Sequence, residues 1–394
     1  MALAVFAPRG KAPSSAHAPV YRFETLSDVS ALERARESWN QLDARIADSR
    51  LAFQTFSWVR DWAVRWSAPG ELSVALGYVD GRLALVWPMI ARRSFGVLAR
   101  EHLGEPMSQY HGALIDPEID AAPLLVAAIS HLVESGVDAL HVRRLRTDSL
   151  LSGALLQAGA RIQRAHSAPF VDLARLRVAG PPGKTAANRR RRLRRLEAEG
   201  SITFARAMGS ERATEWIRLA LAFKRSWALD TCRLARAPFD PRFERGFLDA
   251  LAHSEGPAAL RVFAMLCNGQ PIGVEISLAC RGRLFGHILA YEPALANFGL
   301  GGILADASIR AAADEGFATF DMLAPADAFK GEWADGEVGV EDLFLPLSSR
   351  GVALGPLRER WEGGLRYLAQ IAPSPAKQAL LRHWESRFDN SRGR

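Results

Sequence analysis

Little in this sequence supports a protein held together by disulfide bonds or metal ions. It has only three cysteines in 394 residues. Cys232, Cys267 and Cys280 stand singly, with no paired spacing and no histidine at metal-ligand distance. No window approaches the roughly 18 uninterrupted apolar residues that a membrane span requires. We therefore expect buried thiols in a reducing compartment, and we predict a cytoplasmic protein without a bound metal.

The first residues also lack the features of a secretory signal. Arg9 and Lys11 follow a short apolar start instead of preceding it, and no apolar stretch of secretory length comes after them. The sequence therefore predicts a disordered leader over residues 1–19.

What the sequence does have is the composition of an ordinary folded protein. Apolar residues make up 48% and charged residues 24%, close to the averages for soluble proteins. The length suits two domains of similar size. A net charge of +7 favours an anionic partner. The alternatives are a phosphorylated cofactor or substrate, a nucleic acid and a membrane surface. Charge alone does not choose among these.

The most informative pattern is a repeat of domain size. Apolar residues alternate on both sides of Asp80-Gly81 in the first half and of Asn268-Gly269 in the second, which is typical of hairpins with two-residue turns. Each hairpin is followed by a strand-like stretch and then by a helical pattern that ends at a glycine, Gly136 or Gly316. Another strand-like stretch follows each glycine. The shared order predicts two copies of one unit.

The predicted fold is α/β (α+β), with two tandem units that each contain a mixed twisted sheet flanked by helices. A basic helical insertion separates them. The expected divisions are a leader at 1–19, a first domain at 20–178, a connector at 179–255, a second domain at 256–350 and a helical tail at 351–394. The first domain has Asp116-Pro117-Glu118 where the second has glycines, so we expect it to bind no cofactor.

Four segments together resemble a known family, chiefly through their order along residues 20–345. They are LAFQTFSWVRDWAVRW, LGEPMSQYHGALIDP, NRRRRLRRLEAEG and FDMLAPADAFKGEW. The resemblance is to the GNAT-fold, CelD-like acetyltransferases associated with cellulose and exopolysaccharide synthesis, which are similar to the Fem-type aminoacyl transferases. It implies two GNAT domains and a splayed strand pair that admits the pantetheine arm of an acyl-CoA or the end of an aminoacyl-tRNA. It also implies direct attack on the carbonyl by an amine or hydroxyl.

A glycine-rich turn stands before the helix of the second copy and is the candidate cofactor site. Glycines at such a place leave main-chain N–H groups open to a pyrophosphate at the positive end of the helix. The usual GNAT loop has Arg or Gln where this chain has Ala296, and a simple tight turn is the alternative. The candidate cofactor-binding residues are Asn297, Phe298, Gly299, Leu300, Gly301 and Gly302.

Phe329 and Lys330 are the main candidates for catalysis. The resemblance to Fem-type enzymes places a Phe-Lys pair at the reaction centre, where the lysine stabilises the developing oxyanion. A surface lysine beside a packing tryptophan is the alternative.

Three further side chains are candidates for proton transfer. Asp321 and Glu275 each stand in an apolar strand, where burial would raise their pKa values and suit them as bases, unless each is paired with an arginine. Tyr291 ends its strand and could protonate a departing thiolate, or simply pack.

The acceptor is expected between the two copies, because ligand sites favour domain interfaces. The candidate acceptor-binding residues come from segments that match the family pattern. They are Gln109, Tyr110, Lys224, Arg225, Trp227 and Trp333.

An arginine-rich helix lies in the connector. Leu193 and Leu196 share one of its faces, so the helix can dock by its leucines and present arginines around the rest of its circumference. The arginines would bind phosphates of a substrate, tRNA, an anionic membrane or a polysaccharide synthase, or they form a solvated arm. They are Arg189, Arg190, Arg191, Arg192, Arg194 and Arg195. No specific nucleic-acid recognition is expected, because no recognition motif accompanies the helix.

Three hypotheses for function follow. The first is an acyltransferase that uses acetyl-CoA or another acyl-CoA to modify a carbohydrate or cell-envelope precursor. The second is Fem-like transfer from aminoacyl-tRNA. The third is a non-catalytic accessory subunit of a polysaccharide synthase, peripheral to the inner face of the membrane.

Overall fold

The structure is a computed structural model that describes residues 19–94, 96–179, 183–252 and 256–392. The predicted leader, residues 1–19, lies outside this part of the chain except for its last residue. The strands are β1 (Tyr21–Leu26), β2 (Val74–Val79), β3 (Arg82–Trp87), β4 (Met89–Ser94), β5 (Val97–His102), β6 (Leu114–Ile115), β7 (Ala139–Arg146), β8 (Arg161–Asp172), β9 (Ile202–Arg206), β10 (Ala258–Cys267), β11 (Gln270–Cys280), β12 (Arg283–Tyr291), β13 (Thr319–Asp321) and β14 (Gly336–Pro346). The α-helices are α1 (Val29–Ile46), α2 (Phe56–Trp66), α3 (Ala121–Glu134), α4 (Leu150–Gln157), α5 (Leu173–Ala179), α6 (Gly183–Glu197), α7 (Ser210–Asp230), α8 (Pro241–Ala252), α9 (Leu300–Asp314), α10 (Ala328–Gly331), α11 (Ser349–Ile371) and α12 (Ser374–Arg392).

The two predicted hairpins are present, and both have the same turn. Antiparallel pairing joins β2 to β3 and β10 to β11 across Asp80-Gly81 and Asn268-Gly269. All four turn residues have positive φ, from 49° to 84°, which is the conformation that lets a two-residue turn follow the twist of the strands. After each hairpin a helix leads to a positive-φ glycine and then to a strand. The repeated order is confirmed, although the first copy contains an additional hairpin, β4–β5.

The strands form one small and one large sheet. The small sheet has the order β1-β2-β3-β6, and the large one has the order β4-β5-β7-β14-β8-β13-β12-β11-β10-β9. The predicted α/β fold, with mixed sheets flanked by helices, is confirmed.

The two copies exchange strands in the large sheet. β14 follows the second copy in sequence, but it lies between β7 and β8 of the first copy and is antiparallel to both. The end of β8 in turn pairs with β13. β9 lies in the predicted connector and pairs with β10 of the predicted second domain. The domain boundaries drawn from sequence stay a prediction, and strand pairing crosses two of them.

Helices cover both faces of the second copy's strands and thereby position the site. Val274, Ile276 and Leu278 of β11 belong to the core that α7 and α8 complete. The alternate residue Glu275 points to the other face, where it meets Ser308 of α9. A ligand that passes through this sheet would therefore join the α9 side to the α7 side.

The cysteines fit their expected surroundings in part. Cys280 is buried, and burial raises the pKa of its thiol to about 11. Cys232 and Cys267 are partly exposed, and all three are free thiols. Within the described ranges, no helix is both long enough and apolar enough to cross a membrane.

Candidate active site

The large sheet opens between β12 and β13. The two strands are parallel and pair only from Arg283 to Phe285 with Thr319 to Asp321. β12 then continues to Tyr291, while β13 ends at Asp321. A Cβ at Gly286, the first residue beyond the paired stretch, would lie 2.9 Å from a ring carbon of Phe320. A glycine is therefore required where the pairing ends, and the splayed strand pair implied by the family resemblance stays a prediction.

Two cavities meet at this opening. The larger has a volume of about 520 Å³ and reaches the α7 side, and the smaller has about 80 Å³ and reaches Ser308 of α9. Five residues line both cavities, namely Gly286, Leu289, Met322, Phe329 and Lys330. Seven residues predicted from sequence line the larger one: Gln109, Lys224, Trp227, Tyr291, Gly301, Phe329 and Lys330.

The glycine-rich turn forms the N-terminus of α9. Gly299 is the N-cap, with φ of 69° and no side chain to cap the helix. The main-chain N–H groups of Leu300 and Gly301 have no acceptor within the described parts of the chain. Since the first N–H groups of a helix bind anions well, the turn is suited to an anionic group at the end of the cavity where Gly301 and Tyr291 are in contact.

The arginine helix α6 lies against this turn. Leu196 is buried and Leu193 packs beside it, in a cluster with residues of α9, so docking by the leucines is confirmed. A Cβ placed on Gly299 would lie 2.6 Å from Nη1 of Arg192, and the guanidinium of Arg195 lies 5.5 Å from the centre of the Phe298 ring. Two arginines therefore stand at the open end of α9, near Ala296, where the resemblance leads us to expect Arg or Gln.

Arg189 does not have the role expected of it. It is buried, donates to Asp306 at 2.7 Å and lies 4.1 Å from the ring centre of Trp333. Such a cation anchors α6 and is not available to a membrane or a synthase. Trp333 is itself buried against Phe329 and Arg189 and does not line either cavity, so the acceptor-binding role proposed for it is not supported.

Lys330 lies on the cavity wall with its ammonium group held in place. Its Nζ donates to the carbonyl oxygens of Leu323 and Pro325, at 2.7 and 2.8 Å. Its main-chain N–H donates to Asp327, the N-cap of α10. An ammonium group has three N–H bonds, so one donor remains for a ligand in the cavity. Burial lowers the pKa of Lys330, which indicates that the charge is incompletely solvated.

His287 is a cavity residue that the sequence reasoning missed. Its Nε2 lies 2.6 Å from the carbonyl oxygen of Met107, so Nε2 is assigned as the donor and Nδ1 as the acceptor. Burial lowers its pKa to about 4, which leaves the ring neutral near pH 7. Gln109 lies 3.5 Å away and accepts a hydrogen bond from Arg144. A histidine beside a glycine in an otherwise apolar strand was the available signal.

Asp321 is engaged in a buried network and not poised as a base. Its Oδ1 accepts from the Tyr110 hydroxyl at 2.7 Å and from the Leu323 N–H, and its Oδ2 accepts from Arg146 at 3.0 Å. Burial raises its pKa as expected, while Arg146 and Tyr110 oppose the shift. Tyr110 is itself buried and does not line the cavity. Asp321 is therefore paired with an arginine, the alternative to a role as a base. Tyr110 belongs to this network instead of binding the acceptor.

Glu275 is likewise paired. It accepts from Arg261 at 3.2 Å and from Ser308 at 3.0 Å, and it also bonds to Ser277. Burial raises its pKa. It reaches only the smaller cavity, on the α9 side, so its contacts indicate a structural role there.

Arg225 also lies apart from the cavity. Its Nη1 donates to the carbonyl oxygen of Pro238, and its guanidinium lies 4.3 Å from the centre of the Phe388 ring. It therefore joins α7 to the C-terminal helix α12 and does not line the acceptor site. No group of three or more potential metal ligands occurs within the described ranges.

Comparison with known proteins agrees with this geometry. Residues 183–331 match the family model described as Acetyltransferase (GNAT) domain, a range that runs from α6 to just beyond Lys330. This part of the chain is therefore similar to a GNAT-type acetyltransferase domain. Among curated proteins, none matches the sequence.

Solved structures show that the likeness in fold extends over most of the chain. FemX is 11% identical with a TM-score of 0.57, covering 81% of this chain and 98% of its own. L-PGS from Bacillus licheniformis is 13% identical with a TM-score of 0.51, covering 85% and 96%. The C-terminal domain of a putative lysylphosphatidylglycerol synthetase from Agrobacterium fabrum is 12% identical with a TM-score of 0.51, covering 83% and 95%. At these identities the similarity concerns the fold alone.

Proposed function

We propose that this protein transfers an acyl group, most simply acetyl from acetyl-CoA, to an amine or hydroxyl of a carbohydrate or cell-envelope precursor. The observation that carries the proposal is the opening between β12 and β13. It has free N–H groups at one end, and cavities on both sides share Lys330. The nature of the acceptor rests on the resemblance to the CelD-like family.

In this proposal the two sides of the sheet have different tasks. The turn at Gly299–Gly302, with Arg192 beside it, holds the phosphates, and the acyl-CoA supplies a thioester within the opening. Tyr291 contacts Gly301 and lies on the cavity wall, where its hydroxyl can give a proton to the leaving sulfur. The proton that the attacking amine or hydroxyl loses then restores the tyrosine hydroxyl through solvent in the cavity. The acceptor enters from the α7 side, between the first copy's Gln109 and the residues of α7.

Lys330 would stabilise the oxygen that becomes negative during the attack. Two carbonyls fix its Nζ, so the remaining N–H needs little reorganisation to reach that oxygen. Donors fixed in advance and aimed at developing charge give the largest single effect in such reactions. No group with the geometry of a nucleophile beside its base is required, because the acceptor attacks the carbonyl directly.

Calorimetric titration with acetyl-CoA tests the donor. The matched pair is Gly302→Glu and Gly302→Gln, because a Cβ at Gly302 meets no atom within 4 Å and the two side chains differ only in charge. We expect the Glu variant to bind about tenfold more weakly. Like charges a few ångströms apart near a surface repel by about 4 kcal/mol before salt screens them, and about 1.4 kcal/mol already corresponds to a tenfold loss. The Gln variant should bind like the original. Absence of binding to the unmodified protein, with acetyl-CoA and with longer acyl chains, would sink the proposal.

The second candidate is Fem-like transfer from aminoacyl-tRNA, and exposed arginines beside the turn favour it. Arg192 and Arg195 are exposed and could contact the phosphates of an RNA end equally well. A transfer assay with charged tRNA and an envelope precursor, run beside the acetyl-CoA titration, distinguishes the donors. A protein that binds neither donor but co-sediments with anionic vesicles would instead be an accessory subunit of a synthase.

A further inference from the structure

The chemistry of the acceptor can be inferred from the charges around the larger cavity. The sequence has five lysines among 50 basic residues, and two of the five, Lys224 and Lys330, line this cavity. We infer that the acceptor carries an anionic group, a carboxylate or a phosphate, that binds Lys224 on the α7 side while its nucleophile faces Lys330. This inference rests on the proposed function and specifies its substrate class.

Lys224 lies on the wall as a cation without a counterion. It is half-buried in α7, and its Nζ lies 5.1 Å from the centre of the Trp227 ring. Within the described parts of the chain no carboxylate forms an ion pair with it, and burial is the single cause that lowers its pKa. Removing an ammonium group from water is costly unless a charge or hydrogen-bond partner compensates. An anionic ligand in the cavity would supply that partner.

The other titratable groups of the cavity do not neutralise this charge. Asp230 also lines the cavity, but it is exposed and its Oδ2 lies 3.5 Å from the Ser226 hydroxyl. His287 is neutral, because its pKa is lowered to about 4. With Lys224 and Lys330 on the wall, the described lining carries two positive charges against one exposed negative charge, which favours an anionic ligand.

Lys224 and the turn proposed for the donor's phosphates belong to different helices, although Gly301 of that turn lines the same cavity. Lys224 belongs to α7, which packs against one face of the sheet, whereas the turn at Gly299–Gly302 begins α9 on the opposite face. The larger cavity extends from Lys224 past Gly286 to Gly301. An anion held at Lys224 would therefore belong to the molecule that enters from the α7 side.

The small number of lysines permits a direct test by NMR. Reductive methylation with ¹³C-formaldehyde gives each lysine its own signal, and the variants Lys224→Arg and Lys330→Arg assign the two cavity signals. The protein is saturated with CoA and titrated with acetate, with inorganic phosphate and with acetamide, each against sodium chloride of equal ionic strength. Lys377, whose Nζ bonds to the Gln370 carbonyl at an exposed position, serves as the internal control.

We expect the Lys224 signal to move saturably with an anion but not with acetamide or sodium chloride, and its pKa to rise toward or past the ordinary 10.5. A response to acetate alone indicates a carboxylate acceptor, and a stronger response to phosphate indicates a phosphorylated one. A Lys224 signal that moves no more than that of Lys377 would overturn the inference. So would Lys224→Met if it weakened CoA binding, because the residue would then serve the donor.

The same samples keep the two proposals apart. Failure of CoA to bind the unmodified protein contradicts the proposed function. A silent Lys224 in a protein that does bind CoA contradicts only the inference about the acceptor.

Discussion

Replacing Arg192 with alanine should weaken the binding of CoA while leaving the binding of pantetheine unchanged. The guanidinium of Arg192 lies over Gly299 at the open N-terminus of α9, where the proposed function places the phosphates. A hydrogen bond to a charged group contributes about 1.5–3 kcal/mol. Arg192 is exposed, so solvent and salt screen it and the lower limit applies. That limit corresponds to about a tenfold loss of affinity.

Calorimetry with CoA, dephospho-CoA and pantetheine measures this effect and locates it. Arg190→Ala is the matched control, since it removes an exposed arginine from the same helix. A loss seen with CoA but not with dephospho-CoA would assign Arg192 to the 3′-phosphate, and an equal loss with both would assign it to the pyrophosphate. The reasoning is refuted if Arg190→Ala weakens CoA binding as much, or if pantetheine binding falls as well.

Two further predictions concern the cavity. Lys330→Met should lower the turnover number by roughly 100-fold, as expected for loss of one oxyanion donor. Its affinity for CoA should stay within about twofold of the original, because the phosphates bind elsewhere. A turnover number that does not change would contradict the assigned role, and Lys330→Arg controls for loss of charge. His287 has a folded pKa of about 4 against an ordinary 6.5, so the unfolded chain binds the proton first as pH falls, and stability is lost between pH 6.5 and 4 by at most roughly 3 kcal/mol. Urea unfolding at pH 7 and pH 4.5 should therefore show a smaller difference for His287→Gln than for the original protein, and equal differences would exclude this source of acid sensitivity.

Local sequence signals predicted much of the fold. Asp80-Gly81 and Asn268-Gly269 specify turns that need two residues at positive φ, so they identified both hairpins. Leu193 and Leu196 share a face at helical spacing and do pack on α9. Each of these signals depends on residues that lie within three positions of one another in the sequence.

The site was predictable in part for the same reason. Gly301 and Lys330 belong to short motifs that made them candidates for cofactor binding and catalysis, and the structure has both on the cavity wall. Arg225 follows Lys224 directly, yet on a helix it points elsewhere and packs against Phe388. His287 was missed because its significance depends on Met107, a residue far away in sequence.

The position of β14 could not be derived from any local pattern. Its alternating apolar residues indicate a strand, but nothing within Gly336–Pro346 specifies partners in the first copy. Strand pairing between distant segments is determined by the whole topology.

This exchange of strands has a consequence for the order in which the protein can be made. On the ribosome, β7 and β8 emerge early, but the strand that lies between them emerges only after the second copy has been synthesised. Until then the first copy has two strand edges without their final partner, and such edges are prone to wrong pairing. The second copy has β8 of the first copy as the neighbour of β13 at the edge of the opening. Each half supplies a strand that pairs with strands of the other, so the two halves do not form separate sheets.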